Sequence, residues 1–207
     1  MDQIKRHKLK LLGGHPVLDF VNTVHNWNVS KPQDYLGEFA AAIRFGAAAG
    51  LLTRAEDLGL RRRTPHVELT QLRELRALLK RIFQTRLSGQ APSDADLGKL
   101  STDLAEAARA SRLTVATRTR RSPEVTVVRQ VNPERAGVAL LRLRIVEAAV
   151  GLLVSDAMLR VKSCPTCGWL FLDVSKNRSR RWCSMDTCGS VAKARRYYRR
   201  LKERAGP

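Results

Sequence analysis

Four residues can do chemistry that the rest of the chain cannot. Cys164, Cys167, Cys183 and Cys188 are its only cysteines, and all lie in the last 44 residues. Disulfides that staple a whole chain are spread along it. Thiols clustered at C-x2-C-x15-C-x4-C spacing point instead to one tetrahedral zinc ion per chain. The knuckle Cys164-Pro-Thr-Cys167-Gly168 chelates from a tight turn, and Gly168 lets the backbone fold back. Four thiolates fill the tetrahedron, whereas a catalytic zinc keeps a position open. No Glu or His beside the cluster is placed to act as a base. The site reads as structural, and the protein as a non-enzyme.

The insertion between the cysteine pairs carries Lys176, Arg178, Arg180 and Arg181. After Cys188, helical spacing puts Lys193, Arg196 and Arg200 in one row and Arg195, Arg199 and Lys202 in another. On the same helix Val191, Ala194, Tyr198 and Leu201 recur at the spacing of a face turned to the metal core. Arginine and lysine on a short helix beside a fixed loop suit phosphates and guanine edges.

The whole chain agrees with that chemistry. Its 207 residues carry 38 Lys and Arg against 19 Asp and Glu, a formal charge of +19 and a pI of about 11.0. Residues 160–207 hold 13 basic and 3 acidic residues, and they are the denser basic region. A polyanion is the expected partner. Hydrophobic residues at 43% exclude a disordered basic tail over most of the length, and aromatics at 5% weigh against a long base-stacking platform. The basic start, Met1 to Leu12, has no apolar run after it and is not a signal peptide. Arg142, Arg144 and Glu147 interrupt the longest apolar stretch, Val138 to Val154. These features predict a cytoplasmic protein without a membrane partner.

The elements that position the cysteines are mainly α-helical, with one β-hairpin. Helices are expected from Pro16 to Val24, Asp34 to Ala49 and Glu68 to Leu87, and from Ser93 to about Ala110. On the third, Arg73, Arg76, Lys80 and Arg81 fall opposite the leucine stripe. Leu113 to Thr119 and Val125 to Val131 read as a hairpin around Arg120–Glu124. A long core helix then runs from Pro133 to about Met158. The expected division is a helical domain at 1–159 and a small treble-clef-like zinc module at 160–207. No linker composition separates them, so packing of one against the other is expected.

The stretch C-P-x-C-G-x-x-F-x-D-x-S-x-N-x-S-R-R-W-C-S-M-x-x-C-G, from Cys164 to Gly189, resembles the CGNR zinc finger. That resemblance implies zinc on the four cysteines and DNA binding. Ser190 and Val191 stand where the naming motif has Asn and Arg. Gly13-Gly-His-Pro-Val-Leu-Asp-Phe-Val-Asn-Thr23 resembles the opening of the ABATE domain, whose members are described as stress-induced transcription regulators.

In that opening, His15, Asp19 and Asn22 have two readings. Asp19 and Asn22 tie the first helix to neighbouring backbone, or the three side chains line a pocket for a small-molecule effector. No spacing for a second metal, nucleotide loop or hydrolase nucleophile occurs. The sequence therefore predicts a transcription regulator that binds double-stranded DNA through a zinc finger. Its helical domain would sense a ligand or form a homodimer. A basic RNA- or ribosome-associated zinc protein is the alternative.

Overall fold

The computed structural model describes residues 10–63, 65–115 and 125–205. Helix α1 (Pro16–Val21) begins with Pro16 in its first turn and is capped by His15, whose Nδ1 accepts the Val17 N–H at 3.3 Å. It stops at Val21, three residues before the expected end at Val24. Helix α2 spans Phe39–Ala48. The expected start at Asp34 is corrected: Asp34 pairs with Val24 in an isolated β-bridge, and its carboxylate takes a bidentate Arg76 at 2.7 Å. Gly50, at φ +72°, turns the chain after α2.

Helix α3 (Arg54–Arg61) had no counterpart in the apolar pattern. A capping box between Thr53 and Glu56 starts it. Helix α4 (His66–Leu87) and helix α5 (Asp94–Ala110, capped by Ser93) follow the expected bounds closely. Strands β1 (Ser111–Val115) and β2 (Val127–Val131) pair antiparallel, Ser111 opposite Val131. Arg120–Glu124, where the hairpin turn is expected, and residues 116–119 of the expected first strand lie outside the described residues.

The long helix expected from Pro133 to Met158 is broken. Helix α6 (Pro133–Ala136) ends at Gly137, whose φ of +53° and ψ of −125° suit only glycine. A short 3-10 turn leads into helix α7 (Leu140–Leu153). Helix α7 is the core: Leu141, Ile145, Val146 and Ala149 are fully buried. At about 1.5–3 kcal/mol for each large apolar side chain, this helix anchors the domain. Gly46 of α2 packs so closely on it that a Cβ would come within 2.6 Å of the Leu141 side chain. Arg142 is buried too, with Glu68 at 2.8 Å and Glu106 at 2.8 Å as partners. A buried guanidinium needs such pairing to offset its lost hydration.

Strands β3 (Val161–Ser163) and β4 (Leu170–Leu172) form a second hairpin, antiparallel, around the knuckle. Helix α8 (Ser190–Ala205) ends the described chain. Val161 and Leu170 bury in the same apolar core as the helical domain. No helix among the described residues is long and apolar enough to cross a membrane.

Candidate metal centre and nucleic-acid interface

The β3–β4 hairpin brings Cys164 and Cys167 to its tip. A π-helical turn, Met185–Gly189, brings Cys188 in beside Cys183. The four sulfurs lie within 4.8 Å of one another. Cys167–Cys183 and Cys183–Cys188 are each separated by 3.6 Å. An ion bonded to four sulfurs at about 2.3 Å holds them about 3.8 Å apart, so this donor set fits one structural zinc ion. All four cysteines are buried.

The knuckle does not stand alone. It docks on the loop after α1 and on α4. The Trp27 N–H donates to the Cys167 carbonyl at 2.9 Å, and Asn28 Nδ2 to the Thr166 carbonyl at 3.2 Å. The Trp169 indole donates to the Val24 carbonyl at 2.6 Å. Gly168 has φ +73°, and a Cβ there would lie 2.9 Å from both Trp27 and Asn28. Only glycine permits this approach.

Lys80 of α4 completes the contact. Its Nζ donates to the Gly168 carbonyl at 2.5 Å and lies 5.3 Å from the Trp27 ring centre. Burial pushes its pKa down to about 8, while the neighbouring Cys167 thiolate pulls it back up. Placing Lys80 and Arg76 opposite the apolar stripe of α4 suggested solvent exposure, and the structure corrects this. Both are buried, because that side of α4 is covered by the chain after α1 and, at Lys80, by the finger.

Asp173 organises the basic insertion. Its buried carboxylate accepts the Ser175 N–H at 3.0 Å, the Ser175 hydroxyl at 2.6 Å, the Arg180 N–H at 3.0 Å and Lys162 Nζ at 2.7 Å. The bonds from Lys162 and Ser175 hold its carboxyl well below the usual carboxylate range. Lys162 also donates to the carbonyls of Arg178 and Arg180. The loop is thereby folded around one internal ion pair. Lys176, Arg178 and Arg181 are left exposed, and Arg178 takes the left-handed conformation at φ +49°.

Arg180 is not one of those free cations. It stacks 4.5 Å from the Phe171 ring centre and donates to the carbonyls of Cys183 at 2.6 Å, Leu12 at 3.1 Å and Trp182 at 3.1 Å. Its expected place in the nucleic-acid surface is corrected, since its donors are spent on backbone.

Helix α8 leaves the π-helical turn and projects. Every side chain from Lys193 to Leu201 is exposed, including Lys193, Arg196 and Arg200. The apolar face expected against the metal core is corrected too: Val191 is 42% and Tyr198 65% exposed. The cysteine cluster is covered instead by Leu12, Trp27, Tyr35 and Trp182. At the base of the helix, Arg181, Arg195, Arg196 and Arg199 line a groove of about 370 Å³ with Trp182, Pro165 and Thr166. Arg181 lies 5.3 Å from the Trp182 ring centre.

The family profile for the CGNR zinc finger matches residues 160–201. The ABATE profile, described as "Putative stress-induced transcription regulator", matches residues 14–156, well over half the chain. The chain belongs to the ABATE family. Comparison with curated proteins yields no match.

Within the ABATE domain, His15, Asp19 and Asn22, expected either to tie α1 to backbone or to line an effector pocket, each bond backbone groups. His15 caps α1, and burial lowers its pKa. Asp19 Oδ1 accepts the Gly13 N–H at 2.7 Å; burial raises its pKa, partly offset by backbone bonds from Gly13 and Leu12. Asn22 is wholly buried and bonds both backbone groups of Leu170. These partners are backbone, as the structural reading of the motif anticipated.

Asp173, Lys162 and Lys80 were missed as parts of the CGNR finger's support. Asp173 could have been found from its Asp-x-Ser spacing, which is that of a side chain turned back on its own loop. Lys80 lies 88 positions from its partner and carries no local signal.

Proposed function

We propose that this ABATE protein is a non-catalytic, cytoplasmic transcription regulator that binds double-stranded DNA through the CGNR finger. The observation that carries the reading is the projecting helix α8 with its four-arginine groove. At 1.5 Å per residue, sixteen residues give a rod about 24 Å long. Such a rod fits a major groove about 12 Å wide. Arg181, Arg195, Arg196 and Arg199 in the groove suit phosphates, while Lys193 and Arg200, on the same exposed helix but outside the groove, suit base edges. Val191 cannot donate a hydrogen bond, so any base contact that relatives make with arginine there is lost.

The helical domain sets the angle of this helix. Asn22, Lys80, Trp27 and Asn28 hold the finger from one side, so α8 leaves the protein in a defined direction. That pre-organisation favours specific over purely electrostatic binding.

Binding-site selection from random duplex DNA with the full-length, zinc-loaded protein tests the reading. The expected result is an enriched motif whose binding survives excess competitor DNA. Binding that vanishes with competitor and falls steeply with salt is purely electrostatic. Structured RNA outcompeting every duplex would favour the ribosome-associated reading.

A further inference from the structure

A cleft of about 410 Å³ lies between the helical domain and the finger. Its size is within the range of small-molecule sites. The helical side supplies Lys10, Leu12, His25 and Tyr35, and the finger side supplies Trp169, Val191 and Arg195. A molecule in it would touch both halves of the protein.

The lining has a polarity. Leu12, Trp169 and Val191 are apolar, and the Trp169 N–H is already spent on Val24, leaving only the ring to offer. Cys167, Cys183 and Cys188 also line the cleft at its buried end. Zinc with four thiolates carries two net negative charges. Lys10 and Arg195 are exposed, come from opposite sides, and have no ion-pair partner among the described residues. Among the described residues, no Asp or Glu lines the cleft. The Tyr35 hydroxyl sits 2.9 Å from His25 Nδ1, so that pair is held in place.

We infer that this cleft binds a small aromatic monocarboxylic acid. Its carboxylate sits between Lys10 and Arg195, and its ring lies inward against Trp169, Leu12 and Val191. The thiolate end rejects ligands charged throughout, such as dicarboxylates, while the exposed cations demand one anionic group. A flat apolar body with a single charge satisfies both ends. Arg195 also lines the basic groove beside Trp182. On the DNA-binding reading, a bound acid therefore withdraws one cation from the nucleic-acid surface and weakens its grip.

Calorimetry on the full-length, zinc-loaded protein, with no nucleic acid present, tests the inference apart from that reading. The probes are benzoate, indole-3-acetate and the neutral amide benzamide. At least one acid is expected to bind saturably, and benzamide at least about 10-fold more weakly than benzoate, the cost of losing charge-assisted bonds. Lys10→Gln and Arg195→Gln should each weaken acid binding. Val191→Trp, at an exposed position, should abolish it by filling the cleft, with zinc content unchanged. Absence of saturable binding by both acids, equal binding of benzoate and benzamide, or binding that survives Val191→Trp overturns the proposal. If the acid binds but leaves DNA affinity unaltered, the site stands and only the coupling falls.

Discussion

Asn22 and Leu170 are 148 positions apart, yet the Asn22 side chain donates to the Leu170 carbonyl at 2.8 Å and accepts its N–H at 2.8 Å. A side-chain amide thereby takes the part of a neighbouring strand. It ties the end of α1 to β4, the strand that carries the zinc knuckle. The helical domain and the finger are therefore expected to unfold together.

Asn22→Leu should show this. It leaves two buried backbone groups unpaired, at about 1–3 kcal/mol each. Urea denaturation should show a loss of stability in that range or above, and limited proteolysis should cut the finger faster. An unchanged midpoint would mean that water replaces the amide.

Native mass spectrometry should give one zinc per chain. Cys183→Ser should lose the metal and melt the module, since so small a unit has little core of its own. Because Trp169, Leu170 and Gly168 bond the helical domain, its melting temperature should fall as well. A helical domain of unaltered stability would show the two halves to be independent.

Lys80→Met removes the buried positive charge that faces the knuckle. Groups of this kind behind metal ligands change affinity by about 10-fold or more. Zinc transfer to a chromophoric chelator should therefore be faster in the variant, while far-ultraviolet circular dichroism stays the same.

Arg195→Ala and Arg199→Ala should each weaken DNA binding and lower the salt slope by about one. Arg44→Ala should change neither, since Arg44 is an exposed partner of Glu38 on α2. Arg180→Ala should act differently, through stability and zinc retention, because its donors hold Cys183 and Leu12. Equal loss of DNA binding from Arg44→Ala would remove α8 as the reading head.

Burial raises the Asp34 carboxyl, but the bonds and charge of Arg76 and the Leu36 N–H outweigh it, and its pKa lies below the ordinary value. A carboxylate held low stabilises the fold above the unfolded pKa of about 3.9, and that stability is lost as pH falls through the lower folded value. Asp34→Asn should be less stable at neutral pH and converge on the parent protein in acid. Parallel curves across that range would contradict the assignment.

The metal centre was legible in the sequence because its information is local. Two residues between thiols, a glycine after them and a second pair nearby specify a chelate without reference to the rest of the chain. Helices α4 and α5 were legible for the same reason, from periodicity and the Ser93 cap. The break at Gly137 was written locally too, but the apolar run that begins at Val138 masked it. Which cations are free was a different matter. Arg180 and Arg181 are neighbours of equal charge, and only one is exposed. The partner that separates them, the Leu12 carbonyl, is 168 positions away. Lys80 is likewise spent on a finger carbonyl, and α8 is bare because residues of the helical domain cover the cysteines in its place. Charge density is a property of composition, but a charge is available only after the chain has chosen its long-range partners. That choice is made by burial and unpaired backbone groups, which exist only in the folded protein.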